Sequence, residues 1–279
     1  MMTAYFENVA CTAASLIGKI QEHSGRKTLL FMSHQSITHA TVIKMNQVLR
    51  KAGSCDGLDL VLVSLGGDIS SAFKLLQLLK RHAGSVTAIV PLRAKSAASL
   101  IALGCDKLIM CKAGELGPID PQVMDPETGK RIPAHSVKAA LDFIGNVDDP
   151  SVKMALADKI PVLLVGAYMS AADAGKQYLE EIFIKYNKED REKLVNIFTE
   201  KFLSHSYPID SIILQEIGIN LDEISSEHER LVYELVEYCE ASCTAAYEKN
   251  TKNHGKTLMF ITSDVQSILM GSRIEYENI

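Results

Sequence analysis

Gly66-Gly67-Asp68 closes the apolar run Leu58 to Leu65, and 29 positions after Gly67 a serine, Ser96, opens the small-residue run Ser96-Ala97-Ala98-Ser99. These types in this order suit acyl transfer. A hydroxyl supplies the nucleophile, and backbone N–H groups aimed beside it stabilise the oxyanion of a tetrahedral intermediate. Glycine allows a positive φ and close approach, so the Gly67 N–H can point into a cleft. A serine opening a helix has its alkoxide favoured by the helix dipole, and the Ala97 N–H lies next to it. Each signal alone has a plainer reading: a strand-to-helix turn for the glycines, a helix cap for Ser96. Ser99, one turn inside the helix, is a less well placed nucleophile.

The elements that must position these groups follow from periodicity. Thr28 to Met32, Leu58 to Ser64, Ser85 to Val90 and Lys107 to Cys111 read as strands. Between them lie helical patterns: one carrying Val42, Ile43, Met45, Val48 and Leu49, one capped by Asp68, and one from Ser96 to Leu103. Alternating strands and helices predict a parallel sheet with right-handed crossovers. Beyond the turn-rich stretch 114–133 the pattern becomes helical, over 133–143, 161–186, 188–204 and 210–217, and in a long amphipathic helix from Glu223. A last strand is expected over Thr257 to Ile261.

Composition narrows the function classes. The chain has 279 residues, a net charge of −5, 47% hydrophobic residues and no Trp, an ordinary globular make-up with no basic face to favour nucleic acid. Val9 to Gly18 is apolar but lacks a basic leader, and Pro161 and Gly166 interrupt the longest uncharged run, Ile160 to Ala172. A soluble cytoplasmic protein is the expectation, with membrane association only through a substrate or partner. The six cysteines form no disulfide framework, and Cys239 and Cys243, four apart on one helix face, lack the further ligands a metal site needs. No metal or cofactor is expected.

Taken together, the Gly-Gly strand end, the Ser-Ala-Ala helix, the segment Ala102 to Met110 and the block Gly114 to Gln122 resemble the serine dehydrogenase proteinase family. That family is related to signal peptide peptidases and, more remotely, to the Clp protease subunit within the crotonase-like fold. The similarity spans roughly 28–210. It implies an α/β Clp protease/crotonase-like core of repeated strand–strand–helix units, over 1–204, with a mainly helical C-terminal extension, 205–279. It further implies Ser96 as nucleophile, Gly67 and Ala97 as oxyanion-hole donors, and Gly66, Asp68, Gly117, Pro118 and Ile119 beside the substrate. His205 to Ile209 is similar to a downstream His-x-Tyr-Pro-Ile segment. Two departures stand out: Ala98 replaces a more usual glycine, and no histidine neighbours Asp120 in the sequence, where a Clp-type triad would want one.

The general base is then sought elsewhere. Relatives of the signal peptide peptidase kind resemble Ser–Lys dyads, in which a desolvated, neutral lysine deprotonates the hydroxyl. Lys138 leads, on a helix with Val137 and Leu141; Lys153, Lys159 and His205 follow. The expected activity is peptide-bond hydrolysis on a peptide or protein substrate by a homo-oligomer. The competing readings are an acyl-CoA enzyme of the same fold and a catalytically silent binding or scaffold protein.

Overall fold

The computed structural model describes residues 2–120, 122–124, 129, 131–202, 204–249 and 257–270. In chain order its elements begin with α1 (Met2–Ser24), β1 (Lys27–Ser33), α2 (His39–Ala52), β2 (Cys55–Ser64), α3 (Ile69–His82) and β3 (Ala83–Val90). There follow β4 (Arg93–Ala94), α4 (Ala97–Gly104), β5 (Lys107–Met110), β6 (Glu115–Leu116), β7 (Gln122–Met124) and β8 (Arg131–Pro133). The helices α5 (Ala134–Gly145), α6 (Pro150–Ala157), α7 (Val162–Ile182) and α8 (Lys188–Asn196) come next, the last running into a π-helical turn over Ile197–Lys201. The chain then forms α9 (Ser211–Glu216), α10 (Ser226–Lys249), β9 (Thr257–Ile261) and β10 (Gln266–Met270).

Residues 1–116 and 208–279 make one compact unit, and 117–207 a second. The reason lies in the sheet: the C-terminal segment is not only helical, because β9 pairs antiparallel with β1 and β10 with β9. The sheet order is β10-β9-β1-β2-β3-β5, parallel from β1 to β5, and β4 joins β2 to β6. Short runs such as Leu29–Met32 and Leu60–Val63 are apolar at every position because both faces of these strands are covered.

On one face, Leu30, Met32, Val61, Val63, Ile89 and Ile109 share a core with α1 and α10. Ala13, Ile17 and Ile20 of α1, and Val232, Leu235, Val236 and Cys239 of α10, recur at helical spacing and are fully buried. The apolar N-terminal stretch Val9 to Gly18 is thus part of a core helix. Phe31 and Phe260, with ring centroids 4.8 Å apart, belong to the opposite set of strand positions.

One row of register matters for function. Ser33 pairs with Ser64, Ser64 with Ala94 and Ala94 with Leu116, and Leu116 bridges Ile209. This row crosses the sheet at the carboxyl ends of its parallel strands, the edge where open α/β sheets carry their ligands. In the second unit Phe183, Phe198, Leu179 and Leu194 form the buried centre, while Val162 and Leu163 at the start of α7 are 83% and 88% exposed. Among the described residues no single helix is long and apolar enough to cross a membrane.

Candidate active site

The strand β2 delivers Gly66 and Gly67 in backbone conformations that need glycine: φ is +89° at Gly66 and +154° at Gly67. Space makes the same demand. A Cβ at Gly66 would stand 2.4 Å from the Lys95 carbonyl oxygen and 2.9 Å from the Ala97 nitrogen; at Gly67 it would meet the Ile37 nitrogen at 2.2 Å. The turn is held from both sides. Gly66 N–H donates to Ser64 Oγ, and Ile37 both donates its N–H to Gly66 O (2.9 Å) and accepts from Asp68 N–H (2.8 Å). Asp68, expected near the substrate, caps α3 by accepting from Ser71 N–H at 2.7 Å.

Ser96 arrives from the other side of the same turn. Lys95 N–H donates to Ser64 O at 2.9 Å, aligning β4 with β2. The buried Lys95 ammonium holds Glu115 (2.8 Å) and the Leu116 carbonyl (3.0 Å), tying β4 to β6. Between these fixed points Ser96 adopts φ 52° and ψ −124°, the only positive φ on a non-glycine among the described residues. Such a backbone costs on the order of 1–3 kcal/mol. Nucleophile elbows share this kind of strained strand-to-helix turn. The capping role is absent: the Ser96 side chain makes no cap hydrogen bond to α4. Ser99, the rival hydroxyl, is fully buried and donates to Ala94 O at 2.6 Å.

Among the described residues no hydrogen bond within the chain engages the N–H of Gly67 or of Ala97. Both N–H groups therefore keep their donor capacity. α4 can start this close to Gly66 because Ala97 and Ala98 are small and buried in its first turn.

The second unit holds the remaining sequence candidates. Lys138 is exposed on α5, with 54% of its side chain accessible and its ammonium 3.8 Å from Glu200. The desolvation a neutral lysine base requires is not met within this unit. Glu200 is held below the usual carboxylate range, first by Lys176 and then by Lys138. Lys153 donates to Gly145 O, and Lys159 is exposed. Gly117, Pro118 and Ile119, expected to line the substrate, are buried, and Ile119 N–H donates to Phe198 O at 2.8 Å. Pro121 lies outside the described residues.

That loop delivers Asp120, which is 4% exposed and bonded through Oδ1 to His205 Nδ1. The expectation that Asp120 lacks a histidine partner is thus corrected. The partner is 85 positions away in the chain, where adjacency could not reveal it. An aspartate on Nδ1 fixes the imidazole tautomer and leaves Nε2 to accept a proton.

A model of the family described as ClpP-like SDH-type serine proteinases matches residues 33–251. The chain belongs to that family. The match takes in the Ser33–Leu116 register row, both glycines, Ser96, Asp120, His205 and all of α10. Two uncharacterized proteins of Methanocaldococcus jannaschii, MJ0137 and MJ1495, are each 30% identical, over 68% and 64% of this chain. The chain spans only 61% and 56% of their lengths. Among solved structures, two forms of the 1510-N membrane-bound stomatin-specific protease align with TM-scores of 0.44 and 0.42. Their identities are 13% and 15%; the first alignment covers 69% of this chain and 73% of that one, the second 73% and 79%.

Family membership bears out the α/β ClpP-like fold expected from the sequence and places the chain in a family of serine proteinases. Sequence reasoning missed the Asp120–His205 pair, although Asp120 between Pro118 and Pro121, and His205 before Tyr207-Pro208, each marked a rigid turn.

Proposed function

We propose that the protein is a serine peptidase in which Ser96 forms the acyl-enzyme, the Gly67 and Ala97 N–H groups hold the oxyanion, and His205, oriented by Asp120, is the general base. The observation that carries this reading is the strained, left-handed backbone of Ser96, packed against Gly66 and free of any capping duty. Support for the base comes from its own pairing. Asp120, 4% exposed, holds His205 Nδ1 and leaves its Nε2 to take a proton. The order serine, aspartate, histidine is that of the α/β-hydrolases.

In the reaction His205 Nε2 takes the Ser96 Oγ proton as the oxygen attacks the scissile carbonyl. The imidazolium then gives the proton to the leaving amine, and a water, deprotonated in turn, releases the acyl group and restores Ser96. The substrate is a peptide or protein, and a homo-oligomer is the proposed working form.

The test is labelling of the full chain with a fluorophosphonate, followed by peptide mapping. Labelling at Ser96 that Asp120→Asn and His205→Ala nearly abolish supports the triad. Labelling that survives both but is lost in Lys138→Ala returns the base to the lysine. An unlabelled chain that turns over acyl-CoA, or turns over nothing, rejects the peptidase.

A further inference from the structure

On the side of the sheet away from α4, one carboxylate joins the two segments that shape the Ser96 turn. Glu240, inward-facing on α10, accepts from His34 Nε2 at 2.9 Å through one oxygen and lies 3.5 Å from Arg93 Nη2 through the other. Its side chain is 26% exposed and that of His34 19%, so the ion pair is largely withdrawn from water. Each cation stands three positions before a residue that matters: His34 before Ile37, Arg93 before Ser96. Ile37 is the clamp that fixes Gly66 and Asp68; Arg93 begins the two-residue strand β4, which ends at Ala94, two residues before Ser96.

The connections from each cation to its target are short and stiff. His34 N–H donates to Thr257 O at 2.8 Å, and Ser33 Oγ donates to Gln35 O, so the 33–37 loop has little slack. On the other side, the Ala94–Ser64 and Arg93–Glu115 pairings transmit any shift of Arg93 directly to Lys95 and Ser96. We infer that Glu240 is a positioning residue for the Ser96 site: by holding His34 and Arg93 together it fixes the distance between the Gly66-Gly67 turn and the nucleophile. This rests on the reading of Ser96 as nucleophile. The groups facing His34 favour its charged form. The Cys243 thiol and the Glu240 carboxylate raise it to about 9, and His34 in turn holds Glu240 below the ordinary carboxylate range. The 2.9 Å contact and the raised His34 both favour an ion pair at neutral pH.

A merely stabilising contact would leave the chemistry at Ser96 untouched in the folded fraction. A positioning contact would not, because a misplacement of about 1 Å costs on the order of a hundredfold. The experiment compares fluorophosphonate inactivation of the wild-type chain with Glu240→Gln, Glu240→Asp and His34→Gln, separating the maximal inactivation rate from the inhibitor constant. Glu240→Gln is expected to lower the maximal rate at least tenfold with the inhibitor constant within twofold, and Glu240→Asp to recover part of the loss. Amide exchange is read in parallel. The Ile37, Asp68 and Lys95 N–H groups are expected to exchange at least tenfold faster in Glu240→Gln while β3 is unchanged.

Unchanged inactivation by a folded Glu240→Gln overturns the inference, as does unchanged exchange at those three amides. If Glu240→Gln does not fold, His34→Gln, which removes one arm of the bridge, decides by the same two readouts. A wild-type chain that is never labelled at Ser96 counts against the nucleophile, while the exchange data still judge the bridge.

Discussion

The α-carbon of Gly66 faces the Lys95 carbonyl so closely that a single methyl there would stand 2.4 Å from that oxygen. Strand β2 and the Ser96 turn are fitted backbone to backbone, with no side chain between them. The site depends on that contact.

Gly66→Ala is therefore expected to be among the most damaging single-methyl changes in the chain. It adds a clash with backbone atoms to a positive φ, and a loss of about 2–4 kcal/mol follows. Urea denaturation measures the loss. Fluorophosphonate labelling of whatever remains folded should fall at least tenfold, since the methyl also meets the Ala97 nitrogen at 2.9 Å and Ser96 Cβ at 3.0 Å.

Ser96→Gly and Ser96→Ala should separate chemistry from strain. Both remove the hydroxyl and abolish labelling. Only glycine relaxes a φ of 52° with ψ −124°, so Ser96→Gly should be more stable than Ser96→Ala by about 1 kcal/mol or more. Thermal melts of the two variants, side by side, check this; equal stability would show that the turn is not strained.

Asp120→Asn keeps the shape of the His205 contact but favours the wrong imidazole tautomer. For a working triad the turnover of a peptide substrate should drop by about three to four orders of magnitude. Lys138→Ala, removing an exposed ammonium paired with Glu200, should leave turnover within about threefold. Steady-state kinetics on both variants decides between the two bases.

The His34–Glu240 bridge predicts a pH dependence of stability. His34 is held at about 9 in the folded chain against 6.5 for the ordinary side chain, so folding favours the protonated form. Its contribution is complete below about pH 6.5 and is lost as the pH rises through about 9. The stability gap between wild type and His34→Gln should narrow by on the order of 2 kcal/mol from pH 6.5 to pH 9. Chemical denaturation at the two pH values measures it.

Local pattern alone determined much of this protein. The apolar runs at Leu29–Met32 and Leu58–Ser64 could only be buried strands, the helical spacing after Asp68 only a capped helix, and Gly-Gly before it only a tight turn. Family resemblance carried by those motifs reached the serine-proteinase class. These features are legible because neighbours in the chain cause them.

Tertiary structure alone decided what depends on residues far apart. That Asp120 has a histidine, that Glu240 serves two cations on separate segments, and that the C-terminal segment completes the sheet are consequences of pairings across 85 to 231 positions. The backbone strain at Ser96 belongs to the same class. No propensity puts a serine at positive φ; the fixed ends at Lys95 and Ala97 force it there, and stabilising contacts elsewhere in the fold offset the cost.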